Sequence, residues 1–297
     1  MCIRDSYTVP AVGGKATQLT PKAAWLPTWA PDGKAIFFDG IHGGNWAAIE
    51  MIPSGGGKVR RIPIDQEYVY LQPTYPSGAL TISPDGESIC FSGFFRRGEE
   101  QAGVFTLPVE GGTPTRLSTS QPHDRMPAWS PDGQSIAFIR RERVTKDRSV
   151  WNIFLSPVNG GEAQKITEVD DQVDMGAICW SPKGESIAFF GRDETLRVIS
   201  IGGGTSRILV EKLGSATRWQ GISWSPDGTM LAYSSGSNLW KIARDGGDAI
   251  KIETDLDARI GKIDWSPDGK SIAYSATKGG EHELWLMEDF VHLVSTE

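Results

Sequence analysis

The sequence predicts an all-β fold, a six-bladed propeller of four-stranded antiparallel blades. Two observations predict it. The first is a phrase that recurs six times. Its copies are Trp29-Ala30-Pro31-Asp32-Gly33, Ile82-Ser83-Pro84-Asp85-Gly86, Trp129-Ser130-Pro131-Asp132-Gly133, Trp180-Ser181-Pro182-Lys183-Gly184, Trp224-Ser225-Pro226-Asp227-Gly228 and Trp265-Ser266-Pro267-Asp268-Gly269. Successive prolines are 53, 47, 51, 44 and 41 residues apart, a spacing that suits one propeller blade per copy. The second is a Gly-Gly punctuation between copies: Ser54-Gly55-Gly56-Gly57, Glu110-Gly111-Gly112, Asn159-Gly160-Gly161, Gly202-Gly203-Gly204 and Asp245-Gly246-Gly247.

Each repeat reads as four strands. Ile222-Ser223-Trp224 alternates as the first. Pro then presets φ near −65°, Asp suits the next turn position, and Gly takes the left-handed conformation that other residues resist. A type I turn with a Gly bulge therefore leads into a second, more buried strand such as Met230-Leu231-Ala232-Tyr233. A third strand, for example Trp151-Asn152-Ile153-Phe154-Leu155, precedes each Gly-Gly turn. A fourth, for example Thr115-Arg116-Leu117-Ser118, follows it. The repeat tryptophans carry large apolar rings, and a stacked ring of blades offers the seams between neighbours for their burial. Ile82 replaces Trp in the second copy and Lys183 replaces Asp in the fourth; both keep the turn possible.

The chain starts in mid-repeat. Tyr7–Thr20 matches the half-blade Phe105–Ser118 almost position for position, whereas Met1–Ser6 matches no repeat position. Residues 1–6 are expected to be a non-native or disordered start, and residues 7–297 a single propeller domain. Tyr7–Thr20 is expected to pack beside the last blade, whose third strand is placed at Glu283–Met287. Sequence lost upstream, a signal peptide included, would account for the absence of a secretion signal.

Composition narrows the function classes. The 297 residues carry a formal net charge of −7, which makes nucleic acid a poor partner for the surface as a whole. No run of eighteen apolar residues exists to span a membrane. The even repeat favours one ring, and a monomer, although the length could hold two domains. Five of the 11 tryptophans belong to the repeat. Cys2, Cys90 and Cys179 form no disulfide framework; the latter two sit at core-like repeat positions.

The search for catalytic motifs finds near misses only. Gly-x-Ser-Ile recurs at Ser88, Ser135, Ser186 and Ser271, but without the closing Gly of a nucleophile elbow and in a hairpin context. Gly269-Lys270-Ser271 resembles the end of a phosphate loop, yet no helix follows. His42, His123, His282 and His292 are scattered, with no His-x-x-x-His or Cys-x-x-Cys pair. The acidic run Glu168–Asp174 lacks the Gly and closing Glu of a calcium loop. No catalytic residue, metal site or cofactor is assigned.

Strand order puts the phrase turns and Gly-Gly turns on one face. The opposite face carries the variable connections, where a scaffold presents specificity. Two second-to-third strand loops there are basic. Arg96, Arg97, Arg140, Arg141, Arg143, Lys146 and Arg148 face only Glu99, Glu100, Glu142 and Asp147, a local basic excess on an acidic chain. A solvated charged loop explains this, and so does a docking site for a protein or another anionic ligand.

Trp-Ser-Pro-Asp-Gly-x-x-Ile-Ala-Phe, the Gly-Gly hairpin and the Leu-Thr-like close together resemble the TolB-like propeller repeat. The resemblance covers roughly Tyr7 to Phe290 and is specific for fold. It implies a bacterial protein of the periplasm or the extracellular space, with the cytoplasm as the alternative. In such propellers the residues just before the innermost strands ring the central channel; by that likeness Trp25, His123, Arg125, Arg218, Trp219, Gln220 and Arg259 face its mouth. The expected role is a non-catalytic binding module, a protein-interaction scaffold or sensor. A propeller enzyme of the sugar-acid lyase or glycoside hydrolase type, with its site in the channel, is the alternative, as is a domain cut from a larger peptidase or receptor.

Overall fold

A computed structural model of the chain describes residues 6–8, 17–20, 24–42, 46–65, 80–93, 103–117, 124–168, 171, 173–213, 220–253, 258–278 and 281–287. Among these residues five sheets have the four antiparallel strands of a complete blade. The first blade comprises Ala24–Trp29 (β3), Ala35–His42 (β4), Trp46–Pro53 (β5) and Arg60–Arg61 (β6). The second comprises Leu80–Ile82 (β7), Ser88–Gly93 (β8), Gly103–Pro108 (β9) and Thr115–Arg116 (β10). The third has Arg125–Trp129 (β11), Ser135–Arg143 (β12), Ser149–Pro157 (β13) and Gln164–Lys165 (β14). The fourth has Val173–Trp180 (β15), Ser186–Gly191 (β16), Leu196–Ser200 (β17) and Arg207–Val210 (β18). The fifth has Ile222–Trp224 (β19), Met230–Ser235 (β20), Asn238–Ala243 (β21) and Ile250–Ile252 (β22).

The last sheet departs from expectation. It contains three strands, Arg259–Trp265 (β23), Ile272–Lys278 (β24) and Glu281–Met287 (β25). Its third strand begins two residues earlier than the sequence placed it. The N-terminal half-repeat, Ser6–Thr8 (β1) and Thr17–Thr20 (β2), pairs with itself as a separate two-stranded sheet and lies beside β25. A sixth four-stranded blade is thus not what the hydrogen bonds show. The predicted neighbourhood is present, but β1 does not extend the β25 ladder.

The phrase turns form for a fuller reason than Pro-Asp-Gly alone. In the third copy the Gly133 N–H donates to the Ser130 carbonyl at 2.9 Å, and Gly133 has φ of 70°. Ser130 Oγ donates to Asp132 Oδ1 at 2.5 Å and accepts from the Ser135 N–H at 2.9 Å. Asp132 also accepts from the Gln134 N–H at 3.0 Å. The same serine–aspartate pair recurs at Ser83 and Asp85, Ser225 and Asp227, and Ser266 and Asp268. These serine bonds come first among the causes that hold the four carboxyls below the usual carboxylate range. In the fourth copy Ser181 still accepts from the Ser186 N–H at 3.0 Å, which is why Lys183 is tolerated.

The turns also stack around the ring. Gly133 lies beside Pro84, Gly184 beside Pro131, Gly228 beside Pro182 and Gly269 beside Pro226, each on the proline of the preceding phrase. We expect Gly133→Val to lower the melting temperature, because a β-branched residue resists positive φ and would press on Pro84. The Gly133→Ala variant should cost less, a difference that thermal unfolding would read.

The core runs through the seams. One cluster joins Met126, Ile139 and Ile153 of the third blade to Trp180, Phe189 and Leu196 of the fourth and Trp224 and Leu231 of the fifth. Trp180 Nε1 donates across a seam to the Ala128 carbonyl at 2.9 Å. The inner strands touch in succession: β3 against β7, β7 against β11, β11 against β15, β15 against β19, β19 against β23, and β23 back against β3.

Candidate functional site: the loop-bearing face and the channel

Two places can do chemistry, and they are built differently. The first is the β12–β13 hairpin. Its strands pair without a break from Ser135 opposite Pro157 to Arg143 opposite Ser149, so the ribbon extends well beyond the blade. Corresponding connections in the fourth and fifth blades are tight: Glu194 N–H donates to the Gly191 carbonyl, and only Gly236 and Ser237 separate β20 from β21. The loop-bearing face is therefore uneven, with the third blade standing proud of the two that follow.

Side chains alternate along this ribbon. Arg140 turns inward: Nε and Nη2 donate to the two oxygens of buried Asp124, both at 2.8 Å. Its guanidinium also lies 5.1 and 4.6 Å from the ring centres of Phe138 and Phe154. That bidentate, stacked arrangement fixes Arg140 as a structural cation, a role its position in a basic loop did not reveal. Glu142 accepts from Asn152 Nδ2 at 2.5 Å and lies 3.5 Å from Lys165 Nζ, so its charge is neutralised within the blade. Arg141, Arg143, Lys146 and Arg148 point into solvent, and none has an ion-pair partner among the described residues. Val144 lies exposed at the tip.

The second place is the channel. An innermost strand has one edge without a strand partner, and its N–H groups need other acceptors. In two copies the residue before a neighbouring phrase aromatic meets that need: Trp29 N–H donates to Asp264 Oδ2 at 2.8 Å, and Trp265 N–H to Ser223 Oγ at 3.0 Å. At the equivalent position of the fourth blade, the Trp224 backbone N–H lowers the Cys179 thiol against the larger effect of burial. Asp264 further accepts from Thr28 Oγ1 and Ser223 Oγ, both at 3.2 Å. The equivalent positions are Thr28, Thr81, Ala128, Cys179 and Ser223, so Asp264 is the charged member of a small-residue ring.

Lys262, two residues earlier on β23, belongs to the adjacent layer of the same inner strands. Its Nζ donates to the Leu80 carbonyl of the second blade at 3.2 Å, so the side chain reaches across the channel. Lys262 and Asp264 keep part of their surface open although protein surrounds them densely, as a narrow channel requires. Burial lowers the Lys262 pKa, opposed by the charges of Asp264, Asp39 and Cys179. Burial raises Asp264, opposed by Lys262 and by its three hydrogen-bond donors. Burial pushes Asp39 up to about 8, with Lys262 opposing, and the Cys179 thiol up to about 12.

A pH dependence follows. From the ordinary value of 3.8 up to about 8, the folded chain holds a proton on Asp39 that the unfolded chain has released. Stability contributed by this group therefore falls as pH rises through that window. Lys262 acts oppositely, but only above its lowered pKa, where the unfolded ammonium still keeps its proton. Asp39→Asn should accordingly gain melting temperature over the wild type on going from about pH 5 to about pH 8. A constant difference across that range would contradict the assignment.

The sequence-predicted residues fall as follows. Arg141 and Arg143 are exposed on the ribbon, and Arg259 is exposed on β23. Arg125 is half-buried on β11, and Gln220 is buried just before β19. Trp25 belongs to β3, with its side chain outside the described set; Arg96, Arg97, His123, Arg218 and Trp219 lie outside the described residues altogether. Asp39, Lys262 and Asp264 went unrecognised. The signal that could have found the last two was the repeat itself, since aligning the copies leaves one Asp and one Lys at otherwise uncharged inner positions. Among the described residues no three His, Cys, Asp or Glu side chains cluster as metal ligands. No helix there is long and apolar enough to cross a membrane.

A ring of antiparallel blades with a polar channel and one basic ribbon defines a β-propeller, an architecture that hosts binding and catalysis alike. Residues 72–255 match the TolB beta propeller domain, and the chain belongs to that family. It is 27% identical over 202 residues to the uncharacterised Agrobacterium fabrum protein Atu1656, covering 63% of this chain and 61% of that one. It is 32% identical over 126 residues to the uncharacterised Bacillus subtilis peptidase YuxL, covering 41% of this chain but 17% of the peptidase. The chain thus spans only part of both relatives. Among solved structures, a protein of Agrobacterium tumefaciens assigned as a TolB superposes with a TM-score of 0.70 at 18% identity, covering 97% of this chain and 99% of that one. An oligogalacturonate lyase in complex with manganese superposes with a TM-score of 0.58 at 13% identity, covering 92% and 79%. At such identities the likeness is one of fold.

Proposed function

We propose that this TolB-family propeller is a binding module without catalytic activity, and that its loop-bearing face receives an acidic protein or another anionic ligand. One observation carries the reading: Arg141 and Arg143 on β12, and Lys146 and Arg148 in its connection to β13, stand exposed without an ion-pair partner among the described residues, on a chain with net charge −7. Arg can hold a carboxylate through two hydrogen bonds, and the rigid ribbon spares the cost of ordering a loop. Arg259, exposed on β23, adds a further cation near the channel mouth. We take the ring to be six-bladed, with the three-stranded sheet as the sixth blade and β1–β2 beside it; the closed succession of inner strands supports this. By likeness to the family, we take its compartment to be the periplasm or the extracellular space.

The enzyme reading keeps one favourable observation, the Lys262, Asp39 and Asp264 cluster in the channel. The experiment that tests the binding reading uses polyglutamate as the acidic probe, with binding followed at low and at physiological salt. Binding at low salt that weakens as salt rises is expected, since exposed charges are screened beyond about 8 Å at physiological ionic strength. No binding at either salt would contradict the reading.

A further inference from the structure

We propose that Lys262 is a covalent capture site, whose channel-held amine forms a reversible imine with a small carbonyl compound. This goes beyond docking on the loop-bearing face and uses none of the ribbon cations. Three observations carry it. The first is position: the residue three before each phrase aromatic is Leu26, Ala79, Met126, Ala177, Gly221 or Lys262, so one amine stands in an otherwise uncharged layer. The second is reach: Nζ extends across the channel to the Leu80 carbonyl at 3.2 Å, away from the outer surface where most lysines lie. The third is company. Asp39 on β4 and Asp264 on β23 both act on the amine, as does the Cys179 thiol on β15. Two carboxyls beside one amine leave no net positive charge to attract a bare anion, whereas an uncharged carbonyl group meets no such barrier. Leu26 and Met126, in the same layer, each have φ of 55° at a break in strand register. Left-handed backbone at bulky residues is the kind of strain that collects where a site is shaped.

The step balances with the groups at hand. The uncharged amine adds its lone pair to the carbonyl carbon while the carbonyl oxygen takes the proton of a neutral carboxyl, and the resulting carboxylate takes one proton back from the nitrogen. The re-formed carboxyl then protonates the carbinolamine hydroxyl, which leaves as water as the nitrogen lone pair forms the C=N bond, and the remaining N–H proton returns to the carboxylate to leave the neutral imine. Burial shifts Lys262 towards the uncharged amine and pushes Asp39 up to about 8, so both shifts run in the direction that a nucleophile beside a proton donor requires. Hydrolysis reverses the step.

The test treats the intact folded chain with glycolaldehyde and cyanoborohydride near neutral pH, which fixes the imine as a secondary amine. Peptide mapping then follows each lysine. Lys262 should be modified faster than exposed Lys34, Lys183 and Lys270, by about tenfold for each unit its pKa is lowered. After denaturation all four should react alike, and Lys262→Met should lose the adduct at that position while the other lysines react as before. Modification of Lys262 no faster than the exposed lysines in the folded chain, with equal rates after denaturation, would overturn the proposal.

Discussion

Trp224→Ala should cost about 3–5 kcal/mol, the scale seen when a large aromatic is deleted from a core. Trp224 is 7% exposed and belongs to the cluster that joins the third, fourth and fifth blades. Its loss would open a cavity in a seam between rigid sheets, which cannot close over it without shifting a blade. Its indole N–H has no acceptor among the described residues, so Trp224→Phe gives up area but no hydrogen bond. Trp224→Phe should therefore be the milder change. Trp180 differs: its Nε1 donates across the seam to the Ala128 carbonyl at 2.9 Å. Trp180→Phe should lose that bond as well as area, an extra penalty of roughly 1 kcal/mol. Chemical denaturation of the four variants, the Ala and Phe replacements at each position, would order them. Equal costs for Trp180→Phe and Trp224→Phe would contradict the seam hydrogen bond as a source of stability.

Much of the architecture was legible because one local device repeats. Pro, Asp and Gly determine a turn by backbone preference alone, and six copies at blade-like spacing give the fold class. What the phrase hid was the division of labour inside it. Ser130 reads as a small polar spacer, yet its hydroxyl bonds both Asp132 and the Ser135 N–H. The N-terminal half-repeat was placed correctly beside the last sheet, but sequence similarity could not say that β1 and β2 would pair with each other instead of extending β25. Local patterns specify a strand; they do not specify which free edge it takes.

The site was legible only in part, and for an electrostatic reason. Charge counting treats all cations of a loop alike, whereas strand alternation separates them. Arg140 turns inward onto Asp124 and two aromatic rings, and Arg141 turns outward. The even–odd distinction was available in the sequence once β12 was extended to Arg143. Lys262 and Asp264 were hidden for the opposite reason: a single Lys and Asp on a strand read as surface residues until the ring closes around them.

The central claim concerns the outward set, and its failure would be large and specific. Arg141→Glu, Arg143→Glu and Arg148→Glu together reverse three exposed charges on the β12–β13 hairpin while sparing the Arg140–Asp124 pair, so the fold should persist. Each exposed pair with an acidic partner is worth up to about 1 kcal/mol, and reversal adds repulsion, so the triple variant should bind polyglutamate at least about tenfold more weakly. Asp132→Asn with Asp227→Asn alters the opposite, turn-bearing face and serves as the comparison. The decisive measurement is the ratio of the polyglutamate Kd values of these two variants at low salt, with both confirmed folded by thermal melts. The account predicts that the ribbon variant binds at least about tenfold more weakly than the turn variant. Equal affinities, or a loss confined to the turn variant, would contradict it and move the binding surface off the β12–β13 ribbon.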